Sequence, residues 1–86
     1  MIPRIYEVKT LSDYVLLVTF TDGSVVLYDV KDDFSLPEYD SLKNISGLFE
    51  SVQLDKSRTC VYWNDSIDLP SDIIYKYGKR IHLKKF

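Results

Sequence analysis

Apolar positions in this chain fall into short runs separated by turn residues, and the densest run lies between Tyr14 and Asp29. Two segments of β-forming residues flank Asp22-Gly23 there. Asp-Gly in that setting favours a two-residue type I′ turn, with positive φ at both central residues. Such a turn puts Thr21 opposite Ser24 and fixes the register. Phe20 then faces Val25, Val18 faces Leu27 and Leu16 faces Asp29 on one side. Thr19 faces Val26, Leu17 faces Tyr28 and Val15 faces Val30 on the other. Both sides are apolar, whereas an antiparallel sheet with one wet face alternates cleanly. Val18, Phe20 and Leu27 fit beneath the chain's own helices. Val15, Leu17, Val26 and Tyr28 need a second layer, supplied either by the later strands or by another protein. Asp29 shares a side with core residues in this register, and its carboxylate is suited to bonding backbone N–H groups of the loop that follows.

Weaker patterns surround that hairpin. Ile5 to Lys9 predicts a first strand entered through Pro3, where a missing N–H costs least. Leu11 to Asp13 connects it to the hairpin, giving a three-stranded meander. Residues 31–40 read as a loop punctuated by Asp32, Asp33 and Pro37 and pinned by Phe34 and Leu36. Tyr39 to Leu42 predicts one turn of helix. Asn44 to Glu50 predicts another, with Ser46 as its cap and Gly47 against it. Leu42, Ile45, Leu48 and Phe49 recur every three or four residues, a helical spacing able to cover one face of the sheet.

A second meander follows. Ser51 to Leu54 alternates, Asp55 to Arg58 turns, Thr59 to Trp63 is rich in β-formers, and Ser66 to Asp68 returns after Asn64-Asp65. Leu69 to Gly78 is the clearest helix. Pro70 suits its first turn, Ser71 or Asp68 its cap, Asp72 its positive end and Gly78 its stop. So short a helix is held by packing, through Ile73, Ile74 and Tyr77. Lys79 to Phe86 reads either as a final strand through Ile81, His82 and Leu83 or as a frayed basic tail. The predicted fold is α+β: one small domain over residues 1–86, with two short antiparallel β-meanders and two or three short helices.

Composition narrows the function classes. A chain of 86 residues makes one domain with a modest core. Its seven Tyr, four Phe and one Trp fill such a core with few side chains. The net charge of −2 argues against a dedicated nucleic-acid binder, which usually carries a basic face. The charge is uneven: residues 29–40 are acidic, while Lys79, Arg80, Lys84 and Lys85 make the end of the chain basic. Those four are the candidate phosphate contacts, and they support only weak, salt-dependent binding. The alternative is a solubilising tail. The single cysteine, Cys60, excludes an internal disulfide and fits a reducing compartment. Pro3 and Arg4 interrupt any leader-like apolar run, and no stretch approaches the ~20 apolar residues of a membrane helix. The expectation is a cytoplasmic protein.

No constellation of reactive residues stands out. His82, the only histidine, lies in the basic tail with no carboxylate partner nearby in sequence, as general acid–base work would need. Cys60 reads as a small buried hydrophobe beside Val61. Asp29, Asp32 and Asp33 offer oxygen ligands without the spacing of a known cation loop, and the plainer reading is a solvated acidic loop. Trp63 with Asn64, Asp65 and Asp68 is a candidate recognition surface, or else Trp63 closes the end of the core. No catalytic, metal or cofactor residues are assigned, and the chain reads as non-enzymatic. The candidate interaction residues are Val15, Leu17, Val26, Tyr28 and Trp63.

The order of these pieces resembles a bacterial family, the domain of unknown function 2442 family, from Pro3 to Tyr75. The residues that carry the resemblance are Pro3 to Ile5, Tyr14 to Phe20 with Asp22-Gly23, and Tyr28 to Val30. They continue with Leu48, Phe49 and Val52, then Val61 to Trp63, and then Ile67 to Leu69 with Asp72 and Tyr75. The resemblance implies a small cytoplasmic α+β domain without assigned catalytic residues. It also implies relatives that carry a helix-turn-helix DNA-binding domain after this one, a domain not expected here because the 86 residues end soon after the predicted helix, or that are encoded beside a second small protein in a toxin–antitoxin-like arrangement. The expected function is a protein-interaction module that forms a homodimer and pairs with another small protein. The alternative is a nucleic-acid-associated regulator acting through the basic tail.

Overall fold

The computed structural model describes residues 2–81. In chain order the elements are β1 (Ile5–Leu11), β2 (Val15–Phe20), β3 (Val25–Asp29), α1 (Asp40–Asn44), β4 (Gln53–Leu54), β5 (Cys60–Asn64), β6 (Ile67–Pro70), α2 (Ser71–Tyr77) and β7 (Lys79–Ile81). Short 3-10 turns at Ser12–Tyr14, Val30–Asp33, Pro37–Tyr39 and Phe49–Ser51 link them. One antiparallel sheet has the order β1-β2-β3-β7 and a second the order β4-β5-β6. The fold is therefore α+β, with the two expected meanders and a seventh strand closing the first sheet. That strand pairs Lys79 to Ile81 with Leu27 to Val25. His82, Lys84 and Lys85 lie outside the described residues.

The central hairpin differs from expectation by one residue of register. Thr19 pairs with Val25, Val18 with Val26, Leu17 with Leu27, Leu16 with Tyr28 and Val15 with Asp29. The cause is local. Asp22 does not adopt positive φ; its carboxylate instead accepts the Ser24 N–H at 2.8 Å. Gly23 alone is left-handed, at φ +90°. The Gly23 N–H donates to the Phe20 carbonyl and the Phe20 N–H to the Ser24 carbonyl. This is a three-residue loop closed by a left-handed glycine bulge rather than a two-residue turn. A one-residue slip exchanges faces, so Val26 and Tyr28 join Leu16, Val18 and Phe20, while Leu27 and Val25 move to the other side.

Two helix boundaries also shift. Leu69 and Pro70 finish β6 instead of starting α2, because Ile67 and Leu69 alternate into the core at 2% exposure each. Pro70 stays extended at ψ 149° and sets the start of α2, where no side chain caps the helix. Tyr77, expected as an anchor, is 67% exposed; α2 buries a narrow stripe that includes Ser71 and Ile74. The expected helix over residues 44–50 is absent. α1 ends as Ile45 turns extended, and Gly47 follows at φ +82°. Ile45 is consequently exposed, while Leu42 and Phe49 are buried as expected.

A single cluster joins the layers. Ile5, Leu16, Val18, Phe20, Val26 and Tyr28 from the first sheet meet Val61, Trp63, Ile67 and Leu69 from the second, with Leu42, Phe49 and Ile74 from the connections and helices. The second meander and the helices thus pack on the same face of the first sheet. Arg58 ties the edges together: its carbonyl accepts the Ile5 N–H and its guanidinium donates to the Tyr6 carbonyl at 2.8 Å.

Candidate interaction surface

The opposite face of the first sheet follows from the pairings. Three rungs cross it: Leu11–Val15–Asp29, Lys9–Leu17–Leu27–Lys79 and Glu7–Thr19–Val25–Ile81. Strand residues two apart share a face, so these rungs lie together. Val15, Leu17, Val25, Leu27 and Ile81 remain partly exposed, and Leu11 is 41% exposed. The four β2 and β3 residues of this stripe are absent from the buried cluster and from the side chains packed against it. An apolar stripe thus runs across the centre of the sheet, with Glu7, Lys9, Lys79 and Asp29 around it. Glu7 and Lys9 pair at 3.9 Å, and Asp29 pairs with Lys31 at 3.0 Å.

Of the sequence-derived interaction residues, Val15 and Leu17 belong to this surface. Val26 and Tyr28 are buried at 0% and 6% exposure because of the register slip. Trp63 is buried at 6%, with its Nε1–H donating to the Phe49 carbonyl at 2.9 Å and its ring stacked on Phe49. Its structural place is the end of the core. Val25, Leu27 and Ile81 complete the surface and were missed. The alternation of Val25, Leu27 and Asp29 with Val26 and Tyr28 carries that signal only once the loop length is known.

The acidic residues serve the fold locally. Asp29 accepts the Lys31 N–H at 2.9 Å, the backbone-capping role expected of it. Asp33 accepts the Tyr28 hydroxyl at 2.6 Å. Burial, reinforced by that bond, pushes the Tyr28 phenol well above its ordinary range. Burial and the nearby carboxylates of Asp33 and Asp68 push Tyr39 up to about 12, and its hydroxyl donates to the Asp68 carbonyl at 2.6 Å. Burial likewise raises the Cys60 thiol, which keeps it protonated near neutral pH. A cleft of about 570 Å³ lies between the end of β3 and α2, lined by Asp29, Asp32, Asp33, Ile73 and Tyr77 among others. Among the described residues no group of three or more His, Cys, Asp or Glu is placed to hold a metal ion. No described helix is long and apolar enough to cross a membrane.

The basic residues diverge. Lys79 shares the outer face with Leu27, whereas Arg80 pairs with Val26 and lays its guanidinium 4.1 Å from the centre of the Tyr75 ring. Lys84 and Lys85 lie outside the described residues.

Comparison with known proteins finds a match to the family model described as protein of unknown function (DUF2442), over residues 5–80. No curated protein and no solved structure matches the chain. The matched span takes in all seven strands and both α-helices except the last residue of β7. The chain is a member of the domain of unknown function 2442 family.

Proposed function

We propose that this chain is a non-enzymatic protein-interaction module and that it pairs through the outer face of its first sheet. The observation that carries the reading is the apolar stripe Val15, Leu17, Val25, Leu27 and Ile81, which stays partly exposed although the chain has a second sheet and two helices to cover it. Covering apolar surface is favourable by roughly 25 cal/mol per Å², and an exposed apolar patch rimmed by charges is a common form of protein contact site. The gene pairings implied by family resemblance supply a candidate partner, a second small protein encoded alongside.

A nucleic-acid role is less well supported. It needs cations gathered on one side, and Lys79 and Arg80 point to opposite sides of the sheet. The test is co-expression of the tagged chain with the product of the adjacent gene. The wild-type chain is expected to retain that product through purification, and Leu17→Lys, folded by circular dichroism, to release it. Retention unchanged by Leu17→Lys, or no retention by the wild type, overturns the reading.

A further inference from the structure

Among the described residues, β7 is attached to the body in a way no other strand is. Every other strand sends at least one side chain into the buried cluster or packs one against it; even the two-residue β4 does so, through Leu54. None of Lys79, Arg80 and Ile81 is among those side chains. Lys79 and Arg80 are exposed, and Ile81 is half-buried. What holds β7 is its ladder to β3 and the Arg80 guanidinium lying 4.1 Å from the centre of the Tyr75 ring. Ladder bonds at an exposed edge replace bonds to water with little net gain, and a cation–π contact at an exposed site adds little more. Against them stands the entropy of ordering three residues, two of them long and flexible. Apolar burial, which outweighs that cost elsewhere in the fold, is almost missing here.

The residue before the strand is fixed, by contrast. The Gly78 N–H donates to the Ile74 carbonyl at 2.9 Å, and the backbone there packs so closely on Val26 that no Cβ fits. We infer that β7 is a strap, which detaches from β3 about a pivot at Gly78 while the rest of the chain stays folded. Closed, it adds Lys79 and Ile81 to the outer face of the first sheet. Open, it takes them away and makes β3 an edge strand. The inference does not depend on what the outer face contacts.

The directions of the backbone groups make the opening readable. The Phe20 N–H donates to the Ser24 carbonyl and the Phe20 carbonyl accepts the Gly23 N–H, so both face β3. Alternation along the paired strands then turns the Val26 and Tyr28 groups toward β2, and the Val25 and Leu27 groups toward β7. Opening of the strap frees the Val25 and Leu27 amides and leaves the Val26 and Tyr28 amides bonded.

Amide hydrogen exchange on the full chain, followed by NMR at stepped urea concentrations below the unfolding transition, tests this. A local opening exposes little surface and responds weakly to urea. Val25 and Leu27 are expected to be about tenfold or more less protected than Val26 and Tyr28, at rates nearly independent of urea. Ile81→Pro removes an N–H from the ladder to β3. It is expected to keep the wild-type circular dichroism, to bring Val25 and Leu27 close to unprotected rates, and to leave Val26 and Tyr28 protected. Equal protection of all four amides in the wild type, with the same urea dependence, overturns the inference. So does an Ile81→Pro chain that unfolds, or one in which the four amides lose protection together.

Discussion

Tyr14 holds a backbone conformation that tyrosine ordinarily avoids. It and Asp13 sit at φ +61° and +62° in the connection from β1 to β2. A left-handed residue costs roughly 1–2 kcal/mol, with Asp more tolerant than most. The Tyr14 ring offsets the strain by packing edge-on against Phe34 and Phe49, at 5.2 and 5.3 Å between centroids. Asp13 contributes an ion pair to Lys31 at 3.0 Å, but its side chain is mostly exposed. Packing therefore outweighs charge here. Tyr14→Ala is expected to cost about 2–3 kcal/mol in urea denaturation, since its partly exposed ring is worth less than a fully buried one. Asp13→Asn keeps the left-handed tolerance and is expected to cost under about 1 kcal/mol. A larger loss for Asp13→Asn than for Tyr14→Ala would reverse that ordering. A second residue-scale expectation concerns Tyr39. Its phenol ionises at about 12 in the fold against 10.0 ordinarily. Above pH 10 the unfolded chain gives up this proton first, so the folded chain binds more protons and stability falls as pH rises toward about 12. Tyr39→Phe is expected to flatten that decline, read by denaturation at stepped alkaline pH.

Gly78 joins α2 to β7 at the level of elements. Its φ of −73° suits any residue, so backbone freedom is not the reason for glycine. A Cβ there would lie 2.3 Å from Val26 Cγ1 and 2.6 Å from the Ile74 carbonyl oxygen. The oxygen is backbone and gives little. Gly78→Ala is expected to cost about 1–3 kcal/mol and to speed amide exchange in β7 before the rest of the first sheet; unchanged stability would contradict the close packing. At this scale most strands were legible in the sequence, because runs such as Val15–Phe20 and Cys60–Asn64 are dense in β-formers. The hairpin register was not. It turns on whether the Asp22 carboxylate binds the Ser24 N–H, a choice between two loops with the same Asp-Gly. The start of α2 was hidden for a related reason: Pro70 fits a helix's first turn and an edge strand alike, and the buried side of Leu69 decided it.

At the scale of the whole molecule, apolar residues on both sides of the hairpin raised the question of what covers each side. Periodicity shows that a face is apolar but not which other layer reaches it. The second meander and the helices converge on one face. That leaves Leu17 and Leu27 at the centre of the other, and the contact-surface account stands on them. Methyl-resolved NMR under association, whether by concentration or by addition of the adjacent gene product, tests it most directly. Shift changes are expected at Val15, Leu17, Val25, Leu27 and Ile81, with Leu16, Val18 and Val26 little affected. Changes centred on the cleft by Ile73, or on the Arg80 and Tyr75 side with the stripe silent, would contradict the account.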